Sequence, residues 1–466
     1  MKSVALHNLG CKVNSYEMDV MQQMLQEKGY FIVPFDQQAD IYIVNTCSVT
    51  NIADRKSRQM LHKAKKLNPD AVVVALGCYV QTGTEKVETD ACIDLAIGNN
   101  RKKDLIPILE EFLHRRNQHS PAEKKEMPPQ RALDKTLDNT TIIDINHTDE
   151  YEEMQLEQTA EHTRAYIKIQ DGCNQFCSYC IIPYARGRVR SRSVSDILHE
   201  VSTLSGKGYK EVVLTGIHIS SYGVDLAGED YNFSELKGEP LLELIREIAR
   251  IDGIERIRLG SFEPGIVTNS FAKALSEILQ VCPHFHLSLQ SGCDSTLKRM
   301  NRQYTTEIFA KGVAALRDAF DKPAITTDVI VGFPQETQEE FEETKTFLEQ
   351  IGFFEMHIFP YSKRQGTVAA SMTGQLTEAV KKERSHILLE LEQKQSMTYR
   401  RSFIGETEEV LLEEEKEIAG KTYMVGHTRR YVKVAILQNA QERLNSNEVV
   451  TGKVQGVLSD EILLME

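Results

Sequence analysis

A chain of 466 residues is too long for one ordinary domain and long enough to bury several cores, so about two to four domains are expected. The net charge of −13 argues against indiscriminate polyanion binding, although a local basic stripe can still meet phosphate on an acidic surface. No apolar run reaches the roughly 18 residues needed for a membrane-spanning helix, and a cytoplasmic protein is the expectation. In that reducing compartment nine cysteines imply metal ligation, catalysis or burial, not a disulfide framework.

The start, MKSVALHNLGCKVNSYEMD, reads as a strand and a helix and not as a leader peptide. KSVALHNLG, DIYIVNTCSV and AVVVALGCYV are short apolar strands, and the stretches between them, SYEMDVMQQMLQEKG and ADRKSRQMLHKAKK, carry helical periodicity. That alternation predicts an open parallel α/β sheet over 1–115. The pattern then fails across 116–160, where HRRNQHSPAEKKEMPPQ is polar and NTTIIDINHTDEYEEM is acidic; a linker or insertion is expected.

A second alternating series fills 161–400, with candidate strands RAYIKIQ, EVVLTG, RIRLGS, FHLSLQ, ITTDVIVGF and FEMHIFPYS. Six such units are too few for a closed eight-fold barrel, so a partial (β/α)6 barrel follows. After the helical EAVKKERSHILLELEQKQSMTYRR, the segments EEVLLEEE, YMVGHTRRYVKVAIL, EVVTGKVQGVL and EILLME predict a small β-barrel over 401–466.

RAYIKIQ runs into DGCNQFCSYCIIPYARGRVRSR, so Cys173, Cys177 and Cys180 fall in the loop at the C-terminal end of the first barrel strand, the active-site face of such barrels. Three soft thiolates in one loop leave one iron of a cluster open to an outside ligand. A zinc loop borrowing a distant ligand, or reduced core cysteines, are the alternatives. Cys11, Cys47 and Cys78 each end one of the three N-terminal strands, and strand ends converge at the binding edge of an open sheet, where they could hold a second cluster. A lone cysteine after a strand is usually a small buried hydrophobe. That reading is kept for Cys92, Cys282 and Cys293.

CNQFCSYC resembles the radical S-adenosylmethionine superfamily. Together with LGCKVNSYE, NTCSVT, LGCYVQ, IIPYARGRVRSR, HLSLQSGCDSTLKRMNRQYT, DVIVGFPQET and HIFPYSKRQGT, it resembles the methylthiotransferases over nearly the whole chain. The tail resembles their TRAM domain, an RNA-binding β-barrel. TGIHISSYG and RIRLGSFEP are closer to the branch acting on N6-threonylcarbamoyladenosine in tRNA than to those acting on isopentenyladenosine or a ribosomal-protein aspartate. Gln335, in FPQET, stands where the family usually has glycine.

The resemblance implies two [4Fe-4S] clusters. One, on Cys173, Cys177 and Cys180, binds S-adenosyl-L-methionine and yields a 5′-deoxyadenosyl radical that removes the hydrogen on carbon 2 of the adenine. The other, on Cys11, Cys47 and Cys78, presents methylated sulfur for capture. It implies as partners the tRNA anticodon stem-loop, a low-potential electron donor such as flavodoxin or ferredoxin, and a sulfur source. A non-enzymatic iron–sulfur RNA-binding protein is the rival class.

Further site residues are expected around these. Tyr179 is placed to contact the cofactor adenine or to shield the cluster. Gly216 would let backbone approach the methionine carboxylate. Ser288 and Gln290 alternate with leucines and should face one side together. If RGRVRSR is extended, Arg186, Arg188, Arg190 and Arg192 project on one face as a basic stripe for an RNA backbone. A second basic set, Arg55, Lys56, Arg58, Lys63, Lys65 and Lys66, lies on the helix after Cys47, and Arg429, Arg430 and Tyr431 offer cation and aromatic contacts to single-stranded bases.

Overall fold

The computed structural model describes residues 2–118, 141–159, 163–227, 236–439 and 443–466. Most of the expected linker lies outside the described residues. The N-terminal sheet contains β1 (Ser3–Asn8), β2 (Phe31–Val33), β3 (Ile41–Thr46), β4 (Val72–Gly77) and β5 (Leu95–Ile97), in the order β2-β1-β3-β4-β5 and parallel throughout. Every residue of β3 and β4 is buried, because helices cover both faces of a parallel sheet. Helix α1 (Lys12–Glu27) places Tyr16, Val20 and Met21 against the sheet, and α2 (Asn51–Leu67) starts at a Thr50 side-chain cap.

The second unit is the expected partial barrel. Its strands β6 (Arg164–Asp171), β8 (Glu211–Gly216), β9 (Arg256–Leu259), β10 (His284–Gln290), β11 (Ala324–Val331) and β12 (Glu355–Pro360) follow one another in space, with short β7 (Arg190–Ser191) added antiparallel beside β6. The bridges Ile257–Val281 and Phe262–Leu287 join its two hydrogen-bonded halves. Ala165, Ile167 and Ile169 on β6, and Phe285, Leu287 and Leu289 on β10, point out into the core beneath the helices. By alternation, Tyr166, Lys168, His284 and His286 face the concave inside.

The tail closes into a barrel from β13 (Thr407–Ile418), β14 (Lys421–Thr428), β15 (Lys433–Leu437), β16 (Val449–Ser459) and β17 (Ile462–Met465), in the order β13-β14-β15-β17-β16. The described part of the expected linker differs from a free tether. Met154 and Leu156 join the N-terminal core, and the Tyr16 hydroxyl donates to the Met154 carbonyl at 2.6 Å. The apolar residues within that acidic stretch are buried by neighbours remote in sequence, which local composition does not reveal. Gln335 sits at φ +67, the left-handed turn conformation that glycine adopts without strain, and its N–H donates to the Gly374 carbonyl at 2.8 Å.

Candidate active site

The loop after β6 is braced from several directions. Gly172, at φ +71, passes so close to the chain that an added Cβ would fall 1.7 Å from the Arg188 carbonyl oxygen. The Cys173 N–H donates to the Gly187 carbonyl at 3.0 Å, and Ser178 is held to Met300 and Arg299 by its N–H and hydroxyl. Arg302 reaches the Cys177 sulfur at 3.0 Å with one nitrogen and pairs with Glu263 through another. His218 lies 3.4 Å from that same carboxylate. Arg302, Glu263 and His218 stand in NRQYT, SFEP and TGIHIS, motifs legible in the sequence whose individual side chains carried no local mark of a role.

Burial, with Cys177 and Glu263 nearby, pushes the Cys173 thiol up to about 12. Burial and the other two cysteines raise Cys180 as well. Thiols gathered in a dry loop resist ionising together unless a cationic metal group compensates them.

Cys11, Cys47 and Cys78 stand after strands of the N-terminal sheet. Cys11 is the residue before α1, Cys47 follows β3, and Cys78 follows β4 and opens α3 (Cys78–Thr82). At the turn before Cys78, Gly77 takes φ +93, where a Cβ would lie 2.7 Å from the Asn45 Oδ1. Burial and the Cys78 thiol push Cys47 up to about 12. Asn99 donates to the Cys78 sulfur at 3.6 Å and to the Ala185 carbonyl at 2.7 Å, which ties this triad to the other unit.

Among the described residues, His62–Asp90–Cys92 and His286–Asp328–His357 each bring three potential ligand atoms within 4.8 Å of one another.

The arginine stripe is corrected. Arg186 closes the helix Ile182–Arg186, and β7 spans two residues, so the four arginines do not share one extended face. Arg186, Arg190 and Arg192 are at most 1% exposed. Arg186 binds Glu17 at 2.8 Å and Asp171 at 3.1 Å, Arg190 lies 4.0 Å from Asp171, and Arg192 binds Glu200 at 2.7 Å. Their charges are consumed inside a seam where Glu17 of α1 also meets Lys102 and, at 2.8 Å, Lys168. Only Arg188 of the four is exposed, with its guanidinium 4.5 Å from the Phe176 ring centroid; Phe176 in turn meets exposed Tyr184 edge-on.

The tail contacts are corrected too. Arg429 donates to the carbonyls of Glu255, Leu279 and Val281, and Arg430 pairs with Asp321 and Glu408. Tyr431 is stacked between His284 and His427, with centroids at 4.6 and 4.5 Å. These side chains dock the small barrel on the larger one. Of the basic set on α2, Arg55, Lys56, Arg58, Lys63 and Lys66 are exposed, and Lys65 is taken by Asp94 at 2.6 Å.

Tyr179 packs with Met300, Phe333 and Tyr361 beside the cluster loop. Gly216 lies where a Cβ would stand 3.0 Å from the Gln170 carbonyl oxygen. The Ser288 and Gln290 pairing fails: the register shifts between them, and Gln290 turns to φ +70, which ends the alternation. Cys282 and Cys293 are buried, as simple packing requires.

The radical SAM superfamily matches residues 167–348, and the uncharacterized protein family UPF0004 matches residues 3–98. The threonylcarbamoyladenosine tRNA methylthiotransferase MtaB of Bacillus subtilis is 39% identical over 93% of this chain and 90% of its own length; that of Aquifex aeolicus is 40% identical over 90% and 95%. A tRNA-2-methylthio-N(6)-dimethylallyladenosine synthase from Acetivibrio thermocellus is 36% identical over 92% of this chain and 84% of its own length. Among solved structures, the radical S-adenosylmethionine methyltransferase TsrM from Kitasatospora setae aligns with a TM-score of 0.53 at 16% identity, covering 77% of this chain and 75% of that one, a likeness of fold.

Proposed function

We infer the function from a premise of kinship: the chain belongs to the radical SAM tRNA methylthiotransferases. Its reaction is the addition of a methylthio group to carbon 2 of N6-threonylcarbamoyladenosine next to the anticodon in tRNA. The observation that carries this reading is the likeness to two MtaB enzymes at 39 and 40% identity over 93 and 90% of the chain, together with two separate cysteine triads on two units joined by a buried ionic seam.

Cys173, Cys177 and Cys180 would hold the cluster that binds S-adenosyl-L-methionine, and Cys11, Cys47 and Cys78 the cluster that delivers sulfur. When loaded, these groups supply a radical strong enough to break an unactivated aromatic C–H bond and the sulfur that replaces the hydrogen. The protein's own work is placement. Glu17 joins the helix that starts beside Cys11 to Lys168 and Arg186, which flank the other triad, so the two cysteine sets are fixed against each other. Arg302 offers a positive charge to the Cys177 sulfur, and Glu263 and Tyr304 orient its guanidinium.

The anticodon stem-loop would meet Arg188, Phe176 and Tyr184 at the mouth and the basic face of α2. A low-potential donor such as flavodoxin or ferredoxin, a sulfur source and a cytoplasmic setting complete the reading; among the described residues no helix is long and apolar enough to cross a membrane.

The test is nucleoside mass spectrometry of tRNA incubated with reconstituted protein. Wild type should convert N6-threonylcarbamoyladenosine to its 2-methylthio form, whereas Cys47→Ala should release 5′-deoxyadenosine under strong reductant without that product. Conversion of dimethylallyladenosine alone would transfer the chain to the sister branch.

A further inference from the structure

Lys12 has no place in the chemistry assigned so far. It is the residue after Cys11 and the first of α1, and it lines a small cavity on the concave side of the half barrel with Arg164, Tyr166, Arg258, His284 and Tyr431. Unlike Lys102 and Lys168, which are buried in ion pairs, Lys12 is exposed.

The charges around it are largely spoken for. Arg164 faces Glu211 and Glu413 at 3.9 and 3.6 Å, and Arg258 binds Glu211 at 2.6 Å and the Thr428 carbonyl at 2.8 Å. Asp328, the carboxylate within electrostatic reach of Lys12, is held between His286 at 3.4 Å and His357 at 3.1 Å. Tyr431, stacked on His284, also lines the cavity. Lys12 itself has neither a hydrogen bond nor an ion pair among the described residues. A concave wall beside Cys11 therefore presents a lysine amine with no ion-pair partner among the described residues.

The substrate has a group that matches it. A threonylcarbamoyl substituent ends in a carboxylate, and a dimethylallyl substituent has no charge. A carboxylate drawn into a partly enclosed site must find a cation or lose its hydration uncompensated. Carbon 2 has to reach the sulfur-delivering triad, the N6 substituent starts on the same six-membered ring, and Lys12 adjoins Cys11 of that triad. The four-carbon stem of lysine supplies the remaining reach.

We propose that Lys12 pairs with the carboxylate of the threonylcarbamoyl group and makes the enzyme prefer this nucleoside over one with an uncharged N6 substituent. The assignment rests on the function proposed above, and it names Lys12 as a specificity residue, distinct from the cysteines that carry the chemistry.

The test compares an anticodon stem-loop RNA carrying N6-threonylcarbamoyladenosine with the same RNA whose threonine carboxyl is a primary amide. Dissociation constants by fluorescence anisotropy and methylthiolation kcat/KM are measured for wild type, Lys12→Gln, Lys12→Met and Lys12→Arg at matched iron content. Wild type should favour the acid over the amide on the order of 10- to 100-fold, the worth of one charge-assisted hydrogen bond. In Lys12→Gln and Lys12→Met that ratio should collapse to within about twofold through loss of the acid, and Lys12→Arg should keep most of it. The two neutral variants guard against a folding defect in either, because the ratio is taken within one protein. A wild type indifferent to acid and amide, or a neutral variant with the wild-type ratio, overturns the assignment. A wild type that methylthiolates only a dimethylallyl stem-loop overturns the parent function instead, a result recognisable from the wild-type protein alone.

Discussion

Replacing Glu17 with alanine should loosen the whole molecule, because its carboxylate is shared by three cations in a dry seam. Arg186 and Lys168 each approach it at 2.8 Å, Lys102 also binds it, and Asp171 and Glu152 are the other acids beside these cations. Burial alone would raise the Glu17 carboxyl, but Arg186, Lys102 and Lys168 outweigh it and hold the group well below the usual carboxylate range. Without Glu17, Arg186, Lys102 and Lys168 lose the carboxylate that they share. Breaking a buried pair from one side costs about 3–5 kcal/mol. At roughly 2–4 °C per kcal/mol for units of 150–250 residues, the loss in melting temperature is on the order of 10 °C.

The same change should alter the acid limb of stability. A carboxyl whose folded value is depressed contributes stability that is complete above the unfolded value, near pH 4.5 for Glu, and is lost as the pH falls through the folded value. Wild type should therefore lose stability below about pH 4.5, and Glu17→Ala should lose less over that interval. Differential scanning calorimetry at neutral pH and along an acid series measures both. The control is Glu307→Ala, which removes an ion pair 74% exposed on each side and should move the melting temperature by about 1 °C or less. If Glu17→Ala melts as little changed as that control, the seam does not hold the two units together and the positioning argument fails.

Replacing Cys173, Cys177 and Cys180 together with alanine should halve the roughly eight irons of a reconstituted two-cluster protein, measured by iron and sulfide analysis. Iron near zero in that variant, or zinc alone in the wild type, would contradict two independent cluster sites. Arg188→Ala should weaken tRNA binding and lower the salt slope by about one unit in filter binding at several ionic strengths, since it removes an exposed cation proposed to meet phosphate. Arg190→Ala, inside the seam, should lower the melting temperature instead; an equal change in salt slope for both variants would restore the alternating stripe.

What the sequence determined by itself is what short-range spacing controls. Apolar runs separated by helical periodicity specified a parallel sheet, a half barrel and a β tail. CNQFCSYC brought three thiols together through one loop, and cysteines at equivalent strand ends converged because parallel strands share one carboxyl edge. The alternating arginines were the opposite case. Their even spacing suggested one exposed face, but that inference required an extended backbone, and Arg186 lies in a helix. Whether a guanidinium meets solvent or a carboxylate depends on which acids the fold carries to it. Glu17 is 169 residues from Arg186, and Glu409 and the carbonyl of His427 reach Arg256 across a similar distance. Lys12 shows the same dependence in reverse: its neighbour Cys11 was legible from the sequence, but its charge faces a cavity made by strands of another unit. Electrostatic partnership acts through space, so only the tertiary structure decided which of these charges are neutralised and which are left to meet a substrate.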